Sequence, residues 1–226
     1  MNKSTRIFDS RFDEIEHYKK FPSMLPFIGK NYGKNNSRKI MLIAESHYLP
    51  PNSTISKNPE NWYNSTQSDL TKEEIAWINT RDILKGDWKP PGHMIFRELN
   101  TRMSELMNLN EFRAITSIAF MNGFQRPAPE TGDSIKKFCK PIDYTIGART
   151  ITKVVNIIKP DLVIFVSKLS WDKLRKEIPK SELSTKYSFV CHPGTGGRYW
   201  HNKNYEHGLK KFKALIKEEM NRNFYS

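Results

Sequence analysis

The chain has 226 residues, with 37 Lys or Arg against 24 Asp or Glu, a formal net charge of +13. Its apolar residues, 37% of the total, are gathered into short runs, which excludes an intrinsically disordered chain and suits one sizeable α/β domain. Two cysteines are too few for a disulfide framework, and no apolar run is long enough to cross a bilayer.

In chain order, Ile7, Phe12, Ile15 and Tyr18 recur at roughly helical spacing and predict an amphipathic helix over residues 4–20. The charges of this segment stand where a signal peptide needs its apolar core, so a cytoplasmic protein with reduced thiols is expected. FPSMLPFIGKNYGKNNSRK, rich in Pro, Gly, Asn and Lys, reads as a loop. Ile40–Ala44 is then a buried strand that ends abruptly in Glu45, Ser46, His47 and Tyr48.

Residues 50–70 are polar and aperiodic and read as a long loop, in which Trp62 and Tyr63 are conspicuous. Thr71–Glu74 is a capping-box pattern that opens a helix carrying Ile75, Trp77 and Ile78. Ile95, Leu99, Met103 and Leu106 mark another, from about His93 to Leu109. Ala114 to Met121 reads as the second strand, ending in Asn122 and Gly123, with a proline-rich loop over 127–141. A helix over 146–158 stops at Pro160. Leu162–Val166 is the third strand, ending in Ser167 and Lys168, and a short helix follows around Trp171–Lys176. Tyr187–Cys191, with Cys191 as a small buried residue, is the fourth strand and runs into His192-Pro193-Gly194. Leu209, Phe212, Leu215, Ile216 and Met220 mark a last helix over 205–220, where Lys210, Lys211 and Lys213 read as its solvated face.

Strands alternating with helices predict a three-layer α/β/α domain around a central, mostly parallel four-stranded sheet. One domain covers residues 1–226, with an N-terminal helix and loop over 1–39 and a core over about 40–220. Right-handed crossovers place all four strand ends on one edge, where ligands bind in open α/β sheets. The clusters gathered there supply a carboxylate, an amide and two imidazoles. Asn122 offers a donor and an acceptor that match the edge of a base, and a histidine steadies an anionic leaving group.

This order of motifs resembles the uracil-DNA glycosylase superfamily. Ala44-Glu45-Ser46-His47-Tyr48 stands at that family's first motif, Phe120-Met121-Asn122 looks like its base-reading strand end, and Cys191-His192-Pro193-Gly194 looks like its last motif. Residues 157–165, IIKPDLVIF, resemble its entry into the third strand. The resemblance spans about 40–216 and implies hydrolysis of the N-glycosidic bond of a flipped-out deaminated or damaged base, uracil first. It assigns catalysis to Glu45, His47 and His192, and substrate contacts to Ser46, Tyr48, Tyr63, Asn122, Arg198 and Tyr199. His47 is open between binding substrate and holding a neighbouring loop, and the stacking aromatic is open among Tyr48, Trp62 and Tyr63. Residues 194–200, GTGGRYW, resemble the loop with which the family probes the minor groove.

Three departures stand against this: Ala44 replaces the leading Gly, His47 the motif proline, and Ser46 the Asp that positions water in some members. A serine is no base at neutral pH. The branches with an iron–sulfur cluster need four cysteines, so no cofactor and no metal are expected. DNA, double- or single-stranded, is the expected partner of a monomer, with no membrane association. The alternative is a catalytically inactive base-, nucleotide- or nucleic-acid-binding protein on the same fold. A metal-dependent hydrolase built on Glu45, His47 and His192 is weaker, since no His-Glu-x-x-His spacing supports it.

Overall fold

The computed structural model describes all residues except 1–2, 35–36, 90–92, 131, 181–183 and 223–226, and for 111–113 the main chain alone. The sheet has five strands: β1 (Phe27–Ile28), β2 (Ile40–Ala44), β3 (Ile118–Asn122), β4 (Leu162–Phe165) and β5 (Lys186–Phe189). Their spatial order is β1-β3-β2-β4-β5. The pairs β2–β3, β2–β4 and β4–β5 are parallel, and β1 alone is antiparallel, with Phe27 opposite Phe120.

Every residue of β2 is buried. Its period of two sends Met41 and Ile43 into one core and Ile40, Leu42 and Ala44 into the other. A strand covered on both faces reads as an unbroken apolar run, as this one does. The first core is closed by α1 (Asp9–Phe12), α2 (Glu16–Lys20), α3 (Pro59–Asn64), α4 (Lys72–Ile78), α8 (Pro141–Ile158) and α9 (Lys168–Leu174). The second is closed by α5 (Thr80–Lys85), α6 (Met94–Met107), α7 (Glu111–Thr116) and α10 (Leu209–Asn221). The result is a three-layer α/β/α sandwich. Among the described residues no helix is long and apolar enough to cross a membrane.

The fifth strand corrects the sequence reading. β1 lies inside the segment read as a loop; two residues between Pro26 and Gly29 are too few for a periodicity to register. A side chain at Gly29 would put its Cβ 2.2 Å from the carbonyl oxygen of Thr116, so this edge closes only on glycine. The single N-terminal helix is two short ones, because Ile15 takes extended backbone between them. The break lets Phe12, Ile15 and Tyr18 all reach the core while Ile7 is left 73% exposed.

Residues 50–70 are not structureless. Asn58 caps α3 by accepting from the N–H groups of Glu60 and Asn61, and Pro59 takes the first helical position. Trp62 is fully buried, stacked on Phe21 at 4.3 Å, and donates its indole N–H to the carbonyl of Gln125 at 2.9 Å. Ala114–Thr116 belong to α7, not to the second strand. The helix read from Ile146 starts at Pro141, again a proline in the first turn. The capping box at Thr71–Glu74 forms as read.

Candidate functional site

β2 to β5 run parallel, so their C-terminal ends share one edge. Register pairs Ala44 with Asn122, Ile43 with Phe165, and Phe165 with Phe189. The loops that follow these strands therefore gather at one edge, where open α/β sheets form their ligand crevice. Its first two walls are zipped together: Gly123 N–H donates to Ala44 O at 3.1 Å, Phe124 N–H to Glu45 O at 2.9 Å, and Ala128 N–H to His47 O at 2.8 Å. A Cβ on Gly123 would stand 2.8 Å from Leu174 Cδ1 and 3.2 Å from Ala44 O, so a larger residue would have to push Leu174 aside.

Glu45 sits half-buried at the end of β2. Its Oε1 accepts from Ser134 Oγ at 2.6 Å and from the Ile135 N–H at 3.3 Å, while Oε2 accepts from Ser167 Oγ at 3.0 Å. Three donors on one carboxyl fix its plane. Ser167 also caps α9 through the Ser170 N–H, and Ser170 Oγ donates to Ala44 O at 3.0 Å. The carboxylate is thus held between the proline-rich loop and the end of β4.

Asn122 closes β3 as a paired strand residue rather than the first half of an Asn-Gly turn. It is 8% exposed, and its carbonyl accepts from Gln125 Nε2 at 2.7 Å. No described residue hydrogen-bonds its side-chain amide.

His192 stands just beyond β5. Its Nδ1 accepts from the Gly194 N–H at 3.0 Å. An accepting Nδ1 puts the ring proton on Nε2. Burial pushes its pKa below the ordinary value, opposed by the charge of Glu45, so the ring is neutral at pH 7. Gly194 is part of this device: a Cβ there would lie 2.9 Å from Nδ1.

Of the residues singled out in the sequence, Glu45 and His192 lie near enough for the charge of Glu45 to act on the imidazole, Asn122 ends the neighbouring strand, and Ser46 and Tyr48 are half-buried beside Glu45. Burial raises the pKa of the Tyr48 phenol, helped by the charges of Glu45 and Asp133. Arg198 and Tyr199 lie exposed further along the loop over 193–198, Arg198 seated over the Tyr199 ring. The fully buried Trp200 anchors that loop through an indole bond to Glu98 at 2.8 Å.

Two assignments are corrected. His47 turns away from the crevice into the helical layer, where Nε2 lies 3.0 Å from Thr80 Oγ1 and burial lowers its pKa to about 3. Of its two readings, the structural one holds. Tyr63 is buried and donates to Asp143 Oδ1 at 2.8 Å. Asp143 also takes a two-pronged bond from Arg126, at 2.9 and 2.7 Å, and neither of that pair is exposed. Arg126 further donates to Ser56 O and Phe138 O. Tyr63 and Trp62 thus pin the 50–64 segment onto the body, which removes both as stacking faces for a base. Sequence reasoning missed Ser134 and the Arg126–Asp143 clamp, whose partners are joined only by tertiary contact.

Among the described residues no cluster of three or more His, Cys, Asp or Glu is arranged to hold a metal ion. With His47 facing Thr80, the Glu45–His47–His192 donor set does not form.

Fold and site together define a three-layer α/β protein with a crevice at the C-terminal edge of its parallel strands. That crevice is lined by a fixed carboxylate, an unpartnered amide and a neutral imidazole. Compared with models of known protein families the chain matches none, and no curated protein matches it.

Proposed function

We propose that this crevice excises a flipped-out deaminated or damaged base from DNA, uracil first, and that the chain is a divergent member of the uracil-DNA glycosylase superfamily. The observation that carries this reading is the neutral His192, left with its proton on Nε2 by the Gly194 bond at Nδ1 and near enough to Glu45 to feel its charge, on the sheet edge where β3 ends in the unpartnered amide of Asn122. Asn122 reads the base edge with one donor and one acceptor. As the bond between the sugar C1′ and the base nitrogen breaks, its electron pair goes to the base, and the Nε2–H donor stabilises the resulting anion. A preorganised donor of this kind is worth about 10²–10³ in rate. Glu45 steadies the positive charge that develops on the sugar and orients a water, whose oxygen joins C1′ while its proton ends on the departing base. The surplus of basic residues supports a polyanionic partner. DNA is that partner, single- or double-stranded, and the acting unit is one chain.

A second reading rests on specific observations. Ser46 stands where some family members keep an Asp, and Glu45 is already engaged by three donors. These favour a binding module that recognises a base, nucleotide or nucleic acid without cleaving it. Incubation with uracil- or hypoxanthine-containing oligonucleotides, followed by alkaline cleavage of abasic sites, decides between them. Strand breaks at the modified position support excision. Binding without breaks at any protein excess overturns it in favour of the module.

A further inference from the structure

Outside the crevice, beyond His192, five aromatic rings follow one another around the open edge of the sheet. Trp171 of α9 stacks on Phe189 of β5 at 5.1 Å and 24°. Phe189 meets His207 at 4.5 Å, His207 meets Tyr205 at 6.0 Å, and Tyr205 meets Tyr199 at 5.0 Å. The first four are half-buried and Tyr199 is 36% exposed, so the row is not sealed into the core. Phe189 lies three residues before His192 and Tyr199 seven after it, so the chain that carries His192 joins two members of the row.

Cations are seated on the same rings. The guanidinium of Arg198 lies 5.2 Å from the Tyr199 centroid, and Lys211 Nζ lies 4.2 Å from that of Phe189. Lys211 is therefore not on the solvated helix face where the sequence alone put it. Between residues 198 and 211 the chain carries Arg198, Lys203, Lys210 and Lys211 against the single carboxylate of Glu206. Aromatic faces interleaved with unbalanced positive charge match a ligand of alternating bases and phosphates. In a duplex the base faces are hidden in the stack, whereas a single strand offers them.

We propose that the row from Trp171 to Tyr199 is a stacking track for single-stranded nucleic acid, holding the strand that flanks whatever nucleotide enters the crevice. This rests on the nucleic-acid part of the function proposed above and not on base excision. Stacking is sequence-tolerant, so the track takes any bases, and the cations beside it hold the intervening phosphates.

The test uses the full chain and two fluorescein-labelled probes of about a dozen nucleotides, the span of one to a few stacking sites. One is oligothymidylate and the other an abasic sugar–phosphate oligomer of equal charge. Anisotropy titrations at matched salt should show thymidylate bound at least about fivefold more tightly, the lower bound for one stacked base. The Y199A/Y205A double variant should lose that preference while keeping its affinity for the abasic oligomer. Equal binding of the two probes by the unaltered protein overturns the track, and so does equally tight binding of a thymidylate–adenylate duplex. The first comparison needs no variant, so it stands even if the double variant fails to fold. Neither probe contains a damaged base. A protein that releases uracil yet shows no thymidylate preference sinks the track alone, and one that prefers thymidylate yet releases nothing sinks the excision reading alone.

Discussion

The main-chain N–H of Gly194 donates to Nδ1 of His192 at 3.0 Å, and this one bond decides what the imidazole does. It consumes the acceptor nitrogen on the loop side and leaves Nε2 protonated toward the crevice. The ring is thereby a neutral donor, poised for an anion without carrying a charge into a buried site.

The tautomer is directly measurable. Nitrogen-15 spectra of the imidazole should place the proton on Nε2 and the pKa below the ordinary 6.5, because burial outweighs the opposing charge of Glu45. H192A should slow single-turnover base release by about 10²–10³ with little change in binding. G194A, whose Cβ would stand 2.9 Å from Nδ1, should reproduce much of that loss by displacing the ring. An unchanged rate in both variants removes His192 from the chemistry.

Glu45 separates holding from acting. E45Q keeps the side chain's size but turns an N–H₂ toward a hydroxyl or N–H donor that the carboxylate had satisfied. Stability should fall by about 1–3 kcal/mol in urea titrations. Single-turnover excision should fall by about 10² or more if the carboxylate also handles sugar and water. A stability loss with an unaltered rate would make Glu45 a strut between the loops.

The clamp formed by Arg126 and Asp143 is fully buried. R126M should cost about 3–5 kcal/mol in chemical denaturation, since it strands a carboxylate with only Tyr63 and a main-chain N–H for company. The R126M/D143L double variant should recover a large part of that loss, because no orphan charge remains. Were the double variant as unstable as R126M, the geometry of the clamp and not the stranded charge would carry the cost.

Acid should loosen the layer behind the crevice. Burial lowers the pKa of both His17 and His47 to about 3, with Lys20 and His47 adding to the effect on His17. Between about 6.5 and 3 the unfolded chain binds protons at these rings that the folded chain refuses. Stability is therefore whole above pH 6.5 and is lost as pH falls below it, by up to about 1.4 kcal/mol per histidine per unit. Urea midpoints at pH 7.5 and pH 5 should differ accordingly, and H47Q should remove about half the slope. A midpoint that does not move between the two would mean that one or both rings are protonated in the fold.

Much of the architecture is local information. The all-apolar run from Ile40 to Ala44, the capping box at Thr71 and the alternation of strand and helical periods fix a parallel sheet sandwiched between helices. Each signal lies within one or two turns of the residue it places. The same alternation puts the ends of the parallel strands on a single edge, so the edge that carries Glu45, Asn122 and His192 was legible. What the sequence does not carry is which side chains at that edge turn inward. Glu45 faces the crevice because Ser134 and Ser167, 89 and 122 residues away, reach its carboxyl. His47, two residues on, faces Thr80 in the helical layer. Tyr63, in a polar stretch with little nearby to bury it, is held by Asp143 across 80 residues of chain. Periodicity encodes the face an element hides; the direction of a polar side chain beyond a strand end is set by partners that only the closed tertiary structure brings within 3 Å.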